Sequence, residues 1–249
     1  MKSTERFGDR ADVYAAHRPG YPAAVIDAIF CGLGDPTALT VADVGAGTGI
    51  SSRALAERGA HVIAIEPNAS MREQGTSAMA TPAPEAGRIE WSDGTGEATG
   101  LPNGSVDIVT AFQAFHWFAT PESMAEFHRI ARRRAVMVQY DRDENDPFTR
   151  AYGDIVRSFA MDNTETLRAR GLEVFATFPD ATVSRYEFSF AHDLDLEGLL
   201  GRASSASYLP RTGAAAESLR RQLNDLFAKL HTDGRVSLEM RAVVLVADW

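Results

Sequence analysis

In the run Val41-Ala42-Asp43-Val44-Gly45-Ala46-Gly47-Thr48-Gly49-Ile50, one acid and three glycines occupy alternate positions where an apolar stretch gives way to a helix-like one. Glycine tolerates positive φ and lets a ligand lie against bare backbone, which suits a turn that binds a small molecule at the carboxyl end of a strand. The spacing narrows the ligand. A dinucleotide turn requires Gly-x-Gly-x-x-Gly. Counted from Gly45 and Gly47 the third position is Ile50, and counted from Gly47 and Gly49 it is Ser52. A nicotinamide oxidoreductase fails on this spacing, and a P-loop fails because no Gly-Lys-Ser/Thr follows. What fits is Asp-x-Gly-x-Gly-x-Gly (Asp43, Gly45, Gly47, Gly49) followed by an acid, Glu66, at the end of the next apolar run. A carboxylate at that place can accept from both hydroxyls of a ribose, and an uncharged adenosine needs no phosphate cradle.

These residues need elements to hold them, and the apolar pattern supplies them in alternation. Prolines 19 and 22 stop an amphipathic N-terminal helix and open the next, at Ala23–Phe30. Strand-like runs then follow at 39–44, His61–Ile65, 88–91, Val106–Phe112 and 135–140, with helix-like segments at 50–58 and 121–131 between them. Strand alternating with helix implies a parallel sheet covered on both faces. After a polar connector at 141–147 come a helical stretch at 148–169, a strand at 181–190, helices near 194–208 and 214–230, and a last strand at 235–248. The two late strands are expected to pair antiparallel and finish the sheet. The reading is α/β, one domain over 1–249 with helical insertions.

Composition fits this picture and excludes others. The 249 residues are 45% hydrophobic, enough for a proper core, so disorder is not the main state. One cysteine, Cys31, allows no intrachain disulfide and no zinc-cysteine site, and no metal site is expected. The first 22 residues lack a signal-like apolar stretch, and no run of about 18 apolar residues occurs, so a cytoplasmic protein is expected. A formal net charge of −9 argues against nucleic acid and anionic lipid, and favours a small or cationic partner.

With the strand, glycine turn, helix, second strand and acid in this order, the chain resembles the class I S-adenosylmethionine-dependent methyltransferases of the small-molecule type. The resemblance implies a Rossmann-like seven-stranded sheet, mostly parallel with an antiparallel last strand. It also implies a division into N-terminal lid helices (1–36), a cofactor-binding core (37–140) and a substrate side (141–249) made of helical insertions and the last two strands. It places Asp43 near the methionine amine, the backbone of Gly45, Ala46, Gly47, Thr48 and Gly49 around the amino-acid end, and Glu66 on the ribose. Pro67 and Met71 become apolar neighbours of adenine, and Thr95, Gly96 and Glu97, in the loop after the third strand, lie against its edge.

The segment Ala111-Phe112-Gln113-Ala114-Phe115-His116-Trp117-Phe118 is similar to the family's stretch beside the sulfonium. The resemblance implies that Gln113 holds the cofactor, that the aromatics enclose the cation, and that His116 is a candidate base. The N-terminal segment 7–22 resembles the lid of a subgroup that includes trans-aconitate-type methyltransferases, which implies that Tyr14 and Arg18 reach over the cofactor toward its carboxylate. One departure stands out: the family's Pro-Gly turn before strand five is replaced by Arg129-Ile130-Ala131-Arg132-Arg133-Arg134-Ala135. Basic residues there are expected to close a helix and complement its dipole.

Methyl transfer is an in-line displacement in which the protein mainly aligns the reactants in a dry pocket. A base is needed only where the nucleophile must lose a proton, as a hydroxyl does and a carboxylate does not. Amino-group methylation of adenine or glutamine goes with Asp/Asn-Pro-Pro-Tyr/Phe after strand four, and Gln113-Ala114-Phe115-His116 stands there instead. The expected acceptor is a metabolite, either an organic acid or a natural-product intermediate, partly enclosed by the later insertions, with residues 204–210 among the candidates for its lining. S-adenosylhomocysteine would be the product. The chain is expected to be a monomer or homodimer with no nucleic-acid or membrane partner. Alternatives keep the cofactor but release methylthioadenosine by intramolecular cyclisation, or bind it without catalysis.

Overall fold

The computed structural model describes residues 20–78 and 87–249. The elements run α1 (Ala23–Phe30), β1 (Thr40–Val44), α2 (Ile50–Ala56), β2 (His61–Ile65), α3 (Ala69–Ser77), β3 (Ile89–Ser92), β4 (Val106–Phe112), α4 (Pro121–Ile130) and β5 (Ala131–Arg142). They continue with α5 (Pro147–Ser158), α6 (Thr164–Phe175), β6 (Thr182–Leu194), α7 (Leu196–Ser204), α8 (Gly213–Leu230) and β7 (Val236–Asp248). Seven strands form one sheet in the order β3-β2-β1-β4-β5-β7-β6. The first five pair in parallel, while β7 runs antiparallel to both β5 and β6. The α/β sheet with one reversed strand is the architecture expected above.

Both faces of the sheet are apolar, as a parallel sheet covered on two sides requires. Along β5, Val136 and Val138 join one core cluster and Ala135 and Met137 the other, because successive side chains point to opposite faces. On the first face pack α1 through Val25, Ile26, Ile29 and Phe30, together with α5, α7 and α8. Burial of each such side chain contributes roughly 1.5–3 kcal/mol. On the second face, α4 supplies Met124, Phe127 and Ile130, and α6 supplies Phe175. The start of α4 is fixed by a capping box between Thr120 and Ser123, with Pro121 in the first turn.

Two local expectations are corrected. Residues 148–169 do not make one helix: α5 ends at Ser158, and α6 begins where the Asp162 carboxylate accepts from the backbone N–H and hydroxyl of Thr164. Of the arginines expected to close a helix, Arg129 does stand in the last turn of α4, but Arg132, Arg133 and Arg134 do not. Ala131 leaves α4 in extended conformation (φ −91°, ψ 143°) and is already the first residue of β5, so Arg132, Arg133 and Arg134 lie in the strand. Their charges are used across the sheet. Arg132 pairs with Asp107 at 2.9 Å, and Arg134 pairs with Asp248, its register partner on β7, at 2.6 Å. Arg134 also donates to the carbonyls of Ile29 and Cys31, which fastens the end of α1 to the sheet.

Candidate functional site

At the carboxyl ends of β1, β2 and β4 the chain forms a cleft of about 190 Å³, where an open α/β sheet binds its ligands. The glycine turn makes one wall. Gly45, Gly47 and Gly49 have φ of +73°, +58° and +77°, a left-handed conformation that other residues rarely adopt. A Cβ on Gly45 would also stand 2.6 Å from that of Ala114. The turn is tied to the neighbouring strand, since Gly45 and Ala46 donate their N–H groups to the Ile65 carbonyl (2.8 and 3.1 Å). Val44 and Ile65 are register partners, so the residue after β2 arrives beside the turn.

That residue is Glu66, buried and facing the cleft. Its Oε2 accepts from Gly47 N (3.0 Å) and its Oε1 from Asn68 N (2.9 Å). Burial pushes its carboxyl up from the ordinary carboxylate range, and the two backbone N–H groups oppose that shift. Each oxygen has a second lone pair, so the carboxylate still has acceptor capacity for ligand hydroxyls. Asn68 then caps α3 through Met71 N (3.1 Å), which sets Pro67 and Met71 along the cleft.

Asp43 has a different place. It is fully buried, is not part of the cleft lining, and is surrounded by hydroxyls. Oδ2 accepts from Ser51 (2.7 Å) and Ser52 (2.6 Å), and Oδ1 from Thr110 (3.1 Å). Burial pushes its carboxyl up, against the three hydroxyl hydrogen bonds. Asp43 therefore ties β1, β4 and the first turn of α2 together beneath the turn. Gly49 likewise lies outside the lining, as the left-handed residue that opens α2.

The opposite wall is the loop after β3, where Thr95, Gly96 and Glu97 line the cleft together with Gly94. Its far end is held by Glu126 on α4, which accepts from Thr99 N (2.9 Å) and Thr99 Oγ1 (2.5 Å) and pairs with Arg129 at 2.7 Å. Burial alone would raise the Glu126 carboxyl, but the hydrogen bonds from Arg129 and Thr99 prevail and bring it to about 2. The Phe118 ring covers Gly96 so closely that a Cβ there would lie 2.3 Å from it.

The floor comes from the end of β4. Gln113 has a left-handed backbone (φ +52°) with its N–H bonded to the Val138 carbonyl at 2.8 Å, a strained position of the kind that clusters at binding sites. Phe112, Trp117 and Phe118 line the cleft, whereas Phe115 is fully buried in the core against Phe175. His116 is absent from this cleft. It lies on an adjoining cavity of about 70 Å³ that shares Gln113, Trp117 and Tyr140 with the first. Burial, reinforced by the Arg168 charge, lowers its imidazole to about 3.

Of the residues singled out by sequence, the structure thus gathers Gly45, Ala46, Gly47, Thr48, Glu66, Pro67, Met71, Thr95, Gly96, Glu97 and Gln113 around one cleft. Tyr14 and Arg18 lie outside the described residues. Sequence reasoning missed Tyr21, whose ring meets Phe112 edge-on at 4.7 Å, and Tyr140 at the end of β5. It also missed Arg142, Arg168 and Arg202, which line the adjoining cavity. The signal for Tyr140 was its place at a strand's carboxyl end. For the arginines no local motif exists.

The cleft fits S-adenosylmethionine on its own chemistry. A buried carboxylate with spare acceptor capacity faces it at Glu66, and apolar Pro67 and Met71 sit alongside. Two buried polar atoms on its lining, Thr48 Oγ1 and Gln113 Nε2, have no hydrogen-bond partner among the described residues and can meet a polar ligand.

Comparison with known proteins points the same way. Residues 42–138 match the family described as "Methyltransferase domain", a span that holds the glycine turn, Glu66, the loop after β3 and Gln113. An uncharacterized methyltransferase of Mycobacterium tuberculosis, Rv3342, is 30% identical over 204 residues, 81% of this chain and 76% of its own length. An uncharacterized methyltransferase-like protein of Schizosaccharomyces pombe, C25B8.10, is 28% identical over 81% of this chain and 77% of its own length. A crystal structure of a protein from Anabaena variabilis shares the fold, with a TM-score of 0.64 at 24% identity over 92% of this chain and 98% of that one. Fold, cleft chemistry and relatives therefore meet in one conclusion: the chain belongs to the S-adenosylmethionine-dependent methyltransferases.

Proposed function

We propose that the protein transfers a methyl group to a small-molecule acceptor, an organic acid or natural-product intermediate, bound in the cavity that adjoins the cofactor cleft. The observation that carries this reading is the shared wall: Gln113, Trp117 and Tyr140 line both spaces, so two ligands can meet there. The second space, about 70 Å³ in volume, suits a small molecule or one arm of a larger one. A net charge of −9 disfavours nucleic acid as acceptor. No helix among the described residues is long and apolar enough to cross a membrane.

In this reading the region 37–140 holds the cofactor, and 141–249 covers the acceptor as part of the same domain. The lining supports the division, since Arg142, Thr164, Arg168, Arg202 and Tyr208 come from the later region. Glu66 orients the ribose; the backbone of residues 45–48 takes the amino-acid end; Thr95, Gly96 and Glu97 border the base; Gln113 lies at the junction. Asp43 acts as a positioning residue that holds the turn. When bound, S-adenosylmethionine supplies an electrophilic methyl on a sulfonium. Phe112, Trp117 and Phe118 keep water from that region and present aromatic surface to a cation, worth roughly 0.5–2 kcal/mol per contact. His116, lowered to about 3, is neutral at working pH and a weak proton acceptor, which suits an acceptor that arrives already ionised.

The test is product analysis with purified protein and S-adenosylmethionine over a panel of small acids and natural products. S-adenosylhomocysteine together with a methylated acceptor is expected. Methylthioadenosine as the product would replace methyl transfer with cyclisation, and tight binding without turnover over the whole panel would point to a sensor.

A further inference from the structure

Three arginines face the cavity beside the cofactor cleft, in a protein whose net charge is −9. Two have carboxylate partners. Arg142 pairs with Glu165 and, at 3.4 Å, with Glu144, and Arg168 pairs with Asp141 at 2.8 Å. Arg202 has no ion pair among the described residues, although it is 9% exposed. Its Nε and Nη1 are buried without a hydrogen-bond partner among the described residues, and its guanidinium stands 5.8 Å from the centre of the Tyr140 ring. A guanidinium removed from water and left unpaired is strongly unfavourable unless something else completes it.

Of the other unmet atoms on the same walls, His116 Nδ1 can donate or accept according to tautomer, and the remaining two are donors. Arg168 Nε and Gln113 Nε2 are buried donors without acceptors. With Arg202 Nε and Nη1 they make four donor atoms that the described residues leave open, on three residues lining one space. An acceptor-rich, negatively charged group is the complement of such a set, and a planar carboxylate matches guanidinium geometry well. Arg202 is carried on the last turn of α7 and lines the same cavity as Gln113.

Resting on the methyl-transfer reading for the identity of the neighbouring cleft, we propose that Arg202 is the specificity-determining residue for the acceptor, which carries a carboxylate that Arg202 binds. Arg168 and Gln113 complete the anion site. With Arg142 and Arg168 paired to carboxylates, and Asp141 itself in the lining, Arg202 is the cavity's arginine without an ion pair among the described residues.

The test uses full-length protein labelled with 15N-arginine and saturated with S-adenosylhomocysteine, titrated with acetate and, separately, with acetamide, its neutral isostere. Acetate is expected to give a saturable shift of the Arg202 Nε–H resonance, identified by its loss in Arg202→Lys, while acetamide leaves it in place. An Arg202 signal that ignores acetate, or follows acetamide equally, overturns the proposal and gives the open donors to water. A stronger response to inorganic phosphate than to acetate overturns the carboxylate assignment. In catalysis, an acid acceptor should exceed its own amide in kcat/KM by about tenfold or more, a preference that collapses in Arg202→Met. Persistence of the preference in that variant counts against Arg202. Binding of S-adenosylhomocysteine, unchanged in Arg202→Lys, reports separately on the cofactor cleft. If that binding is absent from the unaltered protein, the methyl-transfer reading fails while the acetate result still stands.

Discussion

The two adjoining cavities treat their polar groups in opposite ways. In the cofactor cleft the chain has already partnered its buried acid, since both oxygens of Glu66 take backbone N–H groups, and beneath the turn Asp43 takes three hydroxyls. In the neighbouring cavity, donors on Arg168, Arg202 and Gln113 are left open. A site whose groups are held by the protein is pre-organised, and its geometry varies little with the ligand. A site with open donors depends on the ligand to complete it, which is where discrimination between related molecules is greatest. Under the proposed function the first cavity is generic to a cofactor, and the second is where this protein's own specificity resides.

Breaking the internal partnerships should produce the largest effects. Asp43→Ala leaves three buried hydroxyls without their acceptor and should cost about 3–5 kcal/mol, read from the urea midpoint. A loss below about 1 kcal/mol would mean that the tie beneath the turn is dispensable. Glu66→Ala comes next. Affinity for S-adenosylhomocysteine should fall about 100-fold by calorimetry, with a smaller change in stability, since Glu66 serves ligand and loop together. Unchanged binding would refute its assignment to the ribose.

The wall formed by the loop after β3 should yield to acid. Glu126 sits at about 2 when folded, below its ordinary value of 4.5, so its contribution is fully present above about pH 4.5 and is lost as pH falls toward 2. Discounted for the solvent that reaches Arg129, the loss should be about 2 kcal/mol. Glu126→Gln should remove that part of the acid sensitivity in unfolding measured across this range. The smallest effect is expected at His116. With its imidazole at about 3, kcat/KM should show no histidine-like step between about pH 5 and 8. A step that vanishes in His116→Asn would instead make His116 the base and place a protonated acceptor in the second cavity.

The same contrast explains what could be read from the chain alone. The glycine turn, Glu66 and Gln113 each stand at the end of a strand, and sheet order brings strand ends together, so a local motif plus an α/β pattern suffices to assemble them. Arg142, Arg168 and Arg202 come from β5, α6 and α7, and no spacing links them; only tertiary packing shows that they share a wall. Asp43 was legible as a residue of the turn but not in its position, because strand alternation alone does not reveal that Ser51, Ser52 and Thr110 enclose it. The break between α5 and α6 was hidden for a similar reason. Asp162 and Thr164 mark the start of the second helix by side-chain bonds that apolar periodicity does not register.

The place of β7 in the sheet also bears on the order in which the protein becomes active. β7 lies between β5 and β6, and β6 is bonded in the sheet to β7 and to no other described strand. During synthesis β6 emerges before its neighbour exists, whereas the parallel strands that carry the cofactor cleft are already complete. The nascent chain can thus fold its nucleoside-binding part first. The adjoining cavity, proposed above for the acceptor and with Met240 of β7 in its wall, closes only when that strand slots in.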